Sequence, residues 1–257
     1  MDYFAFHGLG SSANTFDDIA KIFASQGHEV RPFDFAGFGD RKKEIISKDP
    51  FDTILKEALY YTEGPEEKIS LIAHSMGIVP AVLLAEQIPH RIHQIVIMEG
   101  NLTEHDEGAF SRKLAAAEKD EDIIEAIEGA SEKFRNGNNP GWKSWVPEVA
   151  DVKPNVMRQY SQELIDAADS RRLYNILKDL KCKILYIYGD GYKDHPNVGL
   201  LEDIDVETAY IEGAGHFMHV DEPEICAQLI LKYADIKAPK PESGQPASPP
   251  PPPPAAP

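Results

Sequence analysis

The stretch at residues 71–77 constrains this chain more than any other, because it joins two apolar segments through a single serine. A strand-like apolar run ends near Ala73, Ser75 follows, and a second apolar run continues to Ala85. Small residues, Ala73 and Gly77, stand two places before and two places after the serine. A sharp turn from a buried strand into a helix requires small side chains at those two places. The pattern predicts a strained turn that presents the hydroxyl of Ser75.

Apolar strand-like runs alternate with helical patterns along most of the chain. The predicted strands are residues 3–6, 29–35, 69–73, 94–98, 183–188 and 207–211. Strands that alternate with helices indicate a parallel sheet with right-handed crossovers. The fold class expected is therefore α/β, and 257 residues suit one large domain with an insertion.

No strand pattern is evident between residues 101 and 180. Amphipathic helical patterns occur there instead, near residues 103–118, 120–136, 155–168 and 170–180. A helical insertion at this point predicts a cap over the carboxyl ends of the strands, where open parallel sheets bind ligands. We therefore expect a core of residues 1–100 and 181–236, with a cap at 101–180.

The end of the chain is proline-rich: ten of the 20 prolines lie between residues 237 and 257. This composition predicts a disordered tail, partly in the polyproline II conformation. A solvated tail without a partner is the first interpretation, and a ligand for an aromatic groove is the alternative.

The overall composition limits the kinds of partner and the cellular location that we expect. The formal net charge is -17, which argues against a nucleic-acid phosphate backbone as a partner. The two cysteines, Cys182 and Cys226, lie far apart among apolar residues and are expected to be buried thiols in a reducing compartment. No secretory signal and no membrane-spanning run is evident, so a cytoplasmic location without membrane contact is expected.

A serine hydroxyl becomes an effective nucleophile only when a base accepts its proton. The best candidate is His216, which follows the last predicted strand in a loop of small residues. The alternative is a histidine that caps the next helix. His74 and His219 stand next to key positions and are expected to pack. The remaining histidines are expected on the surface or in loops: His28, His90, His93, His105 and His195.

Two backbone N–H groups are candidates to bind the oxyanion that forms when a serine attacks a carbonyl group. One belongs to Met76, directly after the serine, and the other to Leu9 in the loop after the first strand. Gly8 and Gly10 allow that loop to approach a substrate. A phosphate-binding loop is the rival interpretation, but neither a Gly-Lys-Ser/Thr sequence nor a third spaced glycine follows.

Four short motifs occur along the chain in the order in which they occur in a known enzyme family. They lie at residues 7–10, 34–39, 73–77 and 213–216. Together they are similar to those of an α/β-hydrolase with an inserted helical cap, in which Ser75 occupies the nucleophile elbow. The resemblance implies a three-layer sandwich, and it implies that the Asp34 loop shapes the floor of the site without being catalytic.

The first departure from that family concerns the sheet. Only six residues precede His7, so the family's initial two-strand hairpin is missing. We therefore expect about six strands, with the strand at residues 29–35 at an edge. A truncated gene model would give the same sequence.

The second departure concerns the acid of the catalytic triad. The family's usual position after the seventh strand falls on Tyr192, which is not a carboxylic acid, and Asp190 and Asp194 flank it at imperfect spacing. The alternative is Glu99, which follows the strand at residues 94–98. Some members, including haloalkane dehalogenases, carry their acid there. Glu99 is the first choice and Asp190 the second.

The resemblance implies a carboxylesterase-like serine hydrolase that acts on a small-molecule acyl substrate without a metal or organic cofactor. Amide, lactone, thioester or carbon–carbon bond cleavage would use the same groups. A non-catalytic ligand-binding protein on the same fold, or a scaffold that recruits partners through its proline tail, are the alternatives. The cap aromatics are expected to line an apolar pocket or to pack in the core: Phe110, Phe134, Trp142, Trp145 and Tyr160.

Overall fold

Six strands form one sheet in the described part of the chain. The computed structural model describes residues 1–63, 67–106, 109–204 and 206–235, so the predicted tail at 237–257 lies outside the described residues. The strands are β1 (Asp2–Phe6), β2 (Glu29–Phe33), β3 (Ile69–His74), β4 (Ile92–Met98), β5 (Lys183–Tyr188) and β6 (Glu207–Tyr210).

All neighbouring strands are parallel, in the order β2-β1-β3-β4-β5-β6. The predicted sheet of about six mostly parallel strands is confirmed, with β2 at one edge. Ala73 near the end of β3 pairs with Phe6 of β1 on one side and Ile97 of β4 on the other. The carboxyl ends of the central strands are therefore level, and the residues that follow them meet at one edge of the sheet.

Helices flank the sheet on both faces. In chain order they are α1 (Asp17–Ser25), α2 (Pro50–Thr62), α3 (Ile78–Gln87), α4 (Phe110–Ala115), α5 (Asp120–Arg135), α6 (Pro140–Ala150), α7 (Pro154–Asp169), α8 (Arg172–Asp179), α9 (Pro196–Glu202), α10 (Met218–Asp221) and α11 (Pro223–Asp235). One hydrophobic cluster joins the sheet to α1 and α11, and a second joins it to α2 and α3. This arrangement confirms the predicted three-layer α/β sandwich.

Helix α3 is the most deeply buried helix of the core. Every residue from Ile78 to Ala85 is buried, because α2 and α8 cover the side of the helix that faces away from the sheet. Pro80 lies in the first turn, where its missing N–H costs little. The depth of α3 fixes the position of its start, and Ser75 lies in the turn just before it.

In the described residues between β4 and β5, five helices follow one another, α4 to α8. The helical patterns at 120–136, 155–168 and 170–180 correspond to α5, α7 and α8. The pattern at 103–118 overestimated α4, because residues 103–106 form a turn closed by a hydrogen bond from Asp106 N–H to the carbonyl oxygen of Thr103. Helix α6 escaped prediction, since Gly141 and Pro147 lie inside it.

The two cysteines are free thiols. Cys226 is buried and Cys182 is half-buried, and burial raises the pKa of these thiols to about 12 and about 11, respectively. Among the described helices, none is long and apolar enough to cross a membrane.

Candidate active site

Ser75 occupies the turn between β3 and α3 in a strained backbone conformation. Its φ angle is 51°, in the left-handed region that non-glycine residues rarely adopt. The turn brings α3 so close to β1 that a Cβ atom at Gly77 would lie 2.6 Å from the carbonyl carbon of Phe6. Only glycine fits at that position. The hydroxyl of Ser75 has no hydrogen-bond partner in the described ranges, so it is free to turn toward a base.

His216 and Glu99 form the central hydrogen bond of the site. The Nδ1–H group of His216 donates to Oε2 of Glu99 at 2.7 Å, and the backbone N–H of Gly189 donates to Oε1 at 2.9 Å. Glu99 is 2% exposed and has a φ angle of 44° at the end of β4. A proton held on Nδ1 leaves Nε2 of His216 unprotonated and able to act as a base.

The other two carboxylate candidates lie elsewhere. Asp190 accepts hydrogen bonds from the hydroxyl of Tyr210 at 2.5 Å and from the N–H of Gly213 at 3.2 Å. These two bonds lower the pKa of Asp190. Asp194 is exposed on the same segment. Of the three carboxylates considered from the sequence, the structure joins Glu99 to His216.

The loop at residues 7–12, which we call the oxyanion loop, lies beside the serine. A Cβ atom at Gly8 would lie 3.1 Å from Cβ of Ser75. His7 donates from Nδ1–H to the carbonyl oxygen of Gly8 at 2.8 Å, and its Nε2 accepts from the N–H of Phe35 at 3.2 Å. Burial lowers the pKa of His7 to about 4, so the ring stays neutral. The N–H of Leu9 has no acceptor among the residues that the structure describes.

His74 and His219 are buried behind the site. His74 donates from Nε2–H to the carbonyl oxygen of His216 at 2.9 Å, and Nε2 of His219 lies 2.9 Å from the hydroxyl of Thr15. Burial lowers the pKa of His74 well below its usual range and that of His219 to about 3. The contact of His74 with the main chain of His216 could not be inferred from the sequence, because it depends on how the two loops meet.

A cavity of about 830 Å³ opens beside Ser75 and His216. It lies between the strand ends and the helices of residues 109–180. Its aromatic lining consists of Phe110, Phe134, Trp142, Trp145, Tyr192 and Phe217. Tyr160, which was a candidate for this lining, packs in the core instead, where its hydroxyl donates to the carbonyl oxygen of Ala36 at 3.0 Å.

A second polar cluster borders the same cavity around Asp106. The side chain of Asp106 is fully buried and accepts hydrogen bonds from Tyr192 Oη at 3.1 Å, from Asn197 Nδ2 at 2.9 Å and from the N–H of Leu102 at 2.9 Å. His195 stacks on the ring of Tyr192. Sequence reasoning missed this cluster, and the signal that could have found it is the tyrosine at the family's usual acid position. In the described ranges, no group of His, Cys, Asp or Glu could hold a metal ion.

Known proteins resemble this chain in sequence and in fold. The family model for serine aminopeptidases of the S33 group matches residues 3–123, which include Ser75 and Glu99 and end before His216. Among solved structures, the thioesterase domain from the curacin biosynthetic pathway superposes with a TM-score of 0.67 at 17% identity, over 90% of each chain. The chain has the α/β-hydrolase fold. In this fold, the turn between β3 and α3 that holds Ser75 corresponds to the nucleophile elbow.

Two relatives by sequence extend the comparison. A serine hydrolase-like protein of Dictyostelium discoideum is 28% identical over 137 residues, which cover 52% of this chain and 34% of that protein. The chain thus spans about a third of that relative's length. The monoglyceride lipase of Rattus norvegicus is 22% identical over 242 residues, which cover 88% of this chain and 78% of the lipase. Both similarities support a hydrolase.

Proposed function

We propose that this chain is a serine hydrolase that cleaves carboxylic esters of small molecules through an acyl-enzyme. The observation that carries the proposal is the hydrogen bond from His216 to Glu99 at 2.7 Å, formed at the rim of the cavity that holds Ser75. A buried carboxylate that fixes the tautomer of a histidine beside a strained serine is the arrangement that acyl transfer requires.

In the first half of the reaction, Ser75 Oγ attacks the ester carbonyl carbon while Nε2 of His216 takes its proton. The imidazolium that forms is stabilised by the carboxylate of Glu99. The carbonyl oxygen becomes an oxyanion, and the N–H groups of Leu9 and Met76 donate to it. His216 then returns the proton to the leaving alcohol, and the acyl group remains on Ser75.

In the second half, water attacks the acyl-enzyme. Nε2 of His216 accepts a proton from that water, and the same two N–H groups stabilise the second oxyanion. Collapse of this intermediate breaks the bond to Ser75 Oγ, which takes the proton back from His216. The carboxylic acid leaves, and the free enzyme is restored.

The cavity supports a small, largely apolar substrate. Its volume of about 830 Å³ lies within the usual range for small-molecule sites. Trp142 and Phe217, which contact His216, contribute aromatic rings to the lining, whereas polar groups cluster around Asp106. The similarity to a lipase that acts on monoglycerides and to a thioesterase domain agrees with an acyl chain in this cavity.

A fluorophosphonate probe tests the nucleophile directly, because it reacts only with an activated serine. We expect the folded protein to be labelled at Ser75, as located by peptide mass spectrometry, and the S75A variant to stay unlabelled. A panel of p-nitrophenyl esters from acetate to decanoate should be hydrolysed by the wild type, with activity lost in S75A. Absence of both labelling and turnover would exclude the proposed function and favour a ligand-binding protein on this fold.

A second panel of substrates distinguishes which bond is cleaved. Anilides, lactones and β-diketones of matched acyl length present the same carbonyl group with a different leaving group. We expect the ester kcat/KM to exceed that of the matched anilide and lactone by at least about tenfold. A higher value for an anilide, lactone or β-diketone would reassign the reaction to amide, lactone or carbon–carbon bond cleavage by the same residues.

A further inference from the structure

Helix α6, which lies in the segment between β4 and β5, contacts both the proposed general base and the oxyanion loop. Trp142, Trp145 and Glu148 are spaced three residues apart, so they project from one side of the helix. Trp142 contacts His216, whereas Trp145 and Glu148 contact the oxyanion loop. None of the three takes part in the bond changes of the proposed reaction.

Trp142 stacks on the proposed general base. The indole and imidazole rings lie 5.5 Å apart between centroids, and their planes differ by 18°. Phe134 of α5 stacks on the same indole at 3.9 Å with an interplanar angle of 10°. The stack with Phe134 restricts the rotamers available to Trp142. A restricted indole in turn limits how far the ring of His216 can rotate.

Asp221 joins the start of α6 to the loop that carries His216. Its Oδ1 accepts from the N–H of Gly141 at 2.8 Å, and its Oδ2 accepts from Nδ2 of Asn139 at 2.6 Å and from the N–H of Gly215 at 2.8 Å. One carboxylate therefore holds the helix start and the residue before His216 together. Trp142 keeps its place over the imidazole because both are tied to Asp221.

Trp145 fixes a peptide of the oxyanion loop. Its Nε1–H donates to the carbonyl oxygen of Leu9 at 2.8 Å, and His7 donates to the carbonyl oxygen of Gly8 at 2.8 Å. The two peptide planes on either side of the Leu9 Cα are thus both held. Because a trans peptide points its N–H opposite to its C=O, these bonds set the direction of the Leu9 N–H.

Glu148 and Gly10 extend the contact along the loop. Glu148 accepts from the hydroxyls of Ser11 and Ser12, each at 2.9 Å. Gly10 has a φ angle of 73°, and a Cβ atom there would lie 2.7 Å from Nε1 of Trp145. The loop therefore packs directly against the helix, and a shift of α6 would move the Leu9 N–H.

We propose that Trp142 and Trp145 are positioning residues for the proposed ester hydrolysis, Trp142 for the general base and Trp145 for the oxyanion loop. Trp142 also favours the charged ring that forms during attack, because an aromatic face attracts a cation. Trp145 holds its donor loop in place before the oxyanion forms, and a preorganised donor stabilises the transition state most.

The effect of Trp142 on pH dependence follows from the groups around His216. These are Glu99, which accepts its Nδ1–H, and the rings of His74 and His219. Burial keeps His74 and His219 uncharged, so Glu99 is the one charged group among them. Substituting leucine for Trp142 keeps an apolar neighbour but removes the aromatic face. The imidazolium then loses the attraction of that face.

The first experiment removes the indole N–H. In W145F a smaller aromatic ring remains while the donor to Leu9 is lost. We expect kcat for a p-nitrophenyl ester to fall about tenfold, with KM within about twofold of the wild type, because the donor acts in the transition state. V146A is the packing control, since Val146 is buried on α6 and is not among the residues that line the cavity: it should lose stability but keep kcat. A W145F kcat within twofold of the wild type would overturn the role of Trp145.

The second experiment measures the pH profile of kcat/KM for W142L and W142F. We expect the midpoint of the acid limb to move to lower pH by about half a unit in W142L, and by less in W142F. A residue that only fills space would change the unfolding midpoint and leave the acid limb where it is. An acid limb that moves by less than about 0.2 units in W142L would overturn the role of Trp142.

A third measurement does not depend on ester turnover. The chain has two tryptophans, so Trp142 is the single tryptophan left in W145F. Its fluorescence should fall as the pH is lowered, because an imidazolium quenches an indole stacked on it. Adding His216→Gln to W145F should abolish this fluorescence transition. If W145F itself shows no transition, the stack of Trp142 on His216 is refuted, even if the protein hydrolyses no ester. If the wild type is unlabelled and inactive while W145F shows the transition, the proposed function alone is refuted.

Discussion

Replacing Glu99 by glutamine tests the assignment of the acid without changing the size of the side chain. The structure predicts which way the new amide must face. The backbone N–H of Gly189 donates to one oxygen of Glu99, and a backbone N–H cannot become an acceptor. The amide oxygen of glutamine must therefore face Gly189, and its NH₂ group must face His216.

An NH₂ group facing Nδ1 of His216 reverses the tautomer. Nδ1 becomes the acceptor, the proton moves to Nε2, and the nitrogen near Ser75 can no longer accept the hydroxyl proton. The imidazolium also loses its carboxylate. Two unit charges about 4 Å apart at an effective dielectric constant of 20 attract by about 4 kcal/mol. That loss alone corresponds to roughly a thousandfold in rate.

We expect kcat of E99Q to fall by roughly 10³ to 10⁴ for a p-nitrophenyl ester, with KM within about threefold, because an amide in a serine triad has an effect of that order. D190N is the matched control. Asp190 contacts Tyr210 and Gly213 rather than His216, so its kcat should stay within about threefold. Steady-state kinetics on both variants, with circular dichroism to verify folding, decide the matter. Small and equal losses in E99Q and D190N would show that neither residue is the acid.

Three further changes test the surroundings of the site. Gly77→Ala should destabilise the fold by about 3 kcal/mol in urea unfolding, because the new Cβ meets the backbone of Phe6; unchanged stability would refute the close packing at the elbow. Tyr192→Phe should cost about 2 kcal/mol of stability by removing a donor to the buried Asp106, while kcat stays within twofold; a large loss of kcat would instead give Tyr192 a part in the reaction. Burial raises the pKa of Glu163 to about 7, whereas the unfolded carboxyl titrates near 4.5, so ionisation destabilises the wild type as the pH rises between these values. Glu163→Gln should therefore raise the thermal midpoint at pH 8 and leave it unchanged at pH 4; an equal effect at both pH values would contradict the shift.

The sheet could be predicted from the sequence because its signals are local. Runs of apolar residues separated by helical patterns locate five of the six strands closely, and small residues on both sides of Ser75 locate the elbow. The predicted strand at 29–35 extends beyond β2, which ends at Phe33. Each of these signals depends on neighbours a few residues away, so no knowledge of the tertiary structure was needed.

The acid could not be decided from the sequence, because the choice depends on which strand ends are neighbours in space. Glu99 follows β4 and Asp190 follows β5, and these strands are adjacent in the sheet. Both carboxylates therefore contact the segment that carries His216: Glu99 accepts from the His216 ring, and Asp190 accepts from the N–H of Gly213. Sequence spacing does not show which of the two carboxylates accepts the Nδ1–H of His216.

Helix α6 could not be predicted for a related reason. Gly141 and Pro147 weaken its helical pattern, and its stability depends on tertiary contacts. The carboxylate of Asp221 binds its first turn, and the oxyanion loop packs along its side. A helix formed mainly through such contacts leaves only a weak trace in its own sequence.

The position of Glu99 also explains the role of the residues that follow β5. The backbone after β5 lies against the His216 loop: Asp190 N–H donates to the carbonyl oxygen of Ala214 at 2.9 Å, and Gly189 has no space for a side chain there. The same strand end supplies the N–H that holds Glu99. The backbone at the end of β5 thus orients the carboxylate of Glu99. The residue two places after Asp190 therefore does not have to be an acid. Tyr192 extends the other way, toward the buried Asp106, so the usual acid position becomes part of the wall of the cavity.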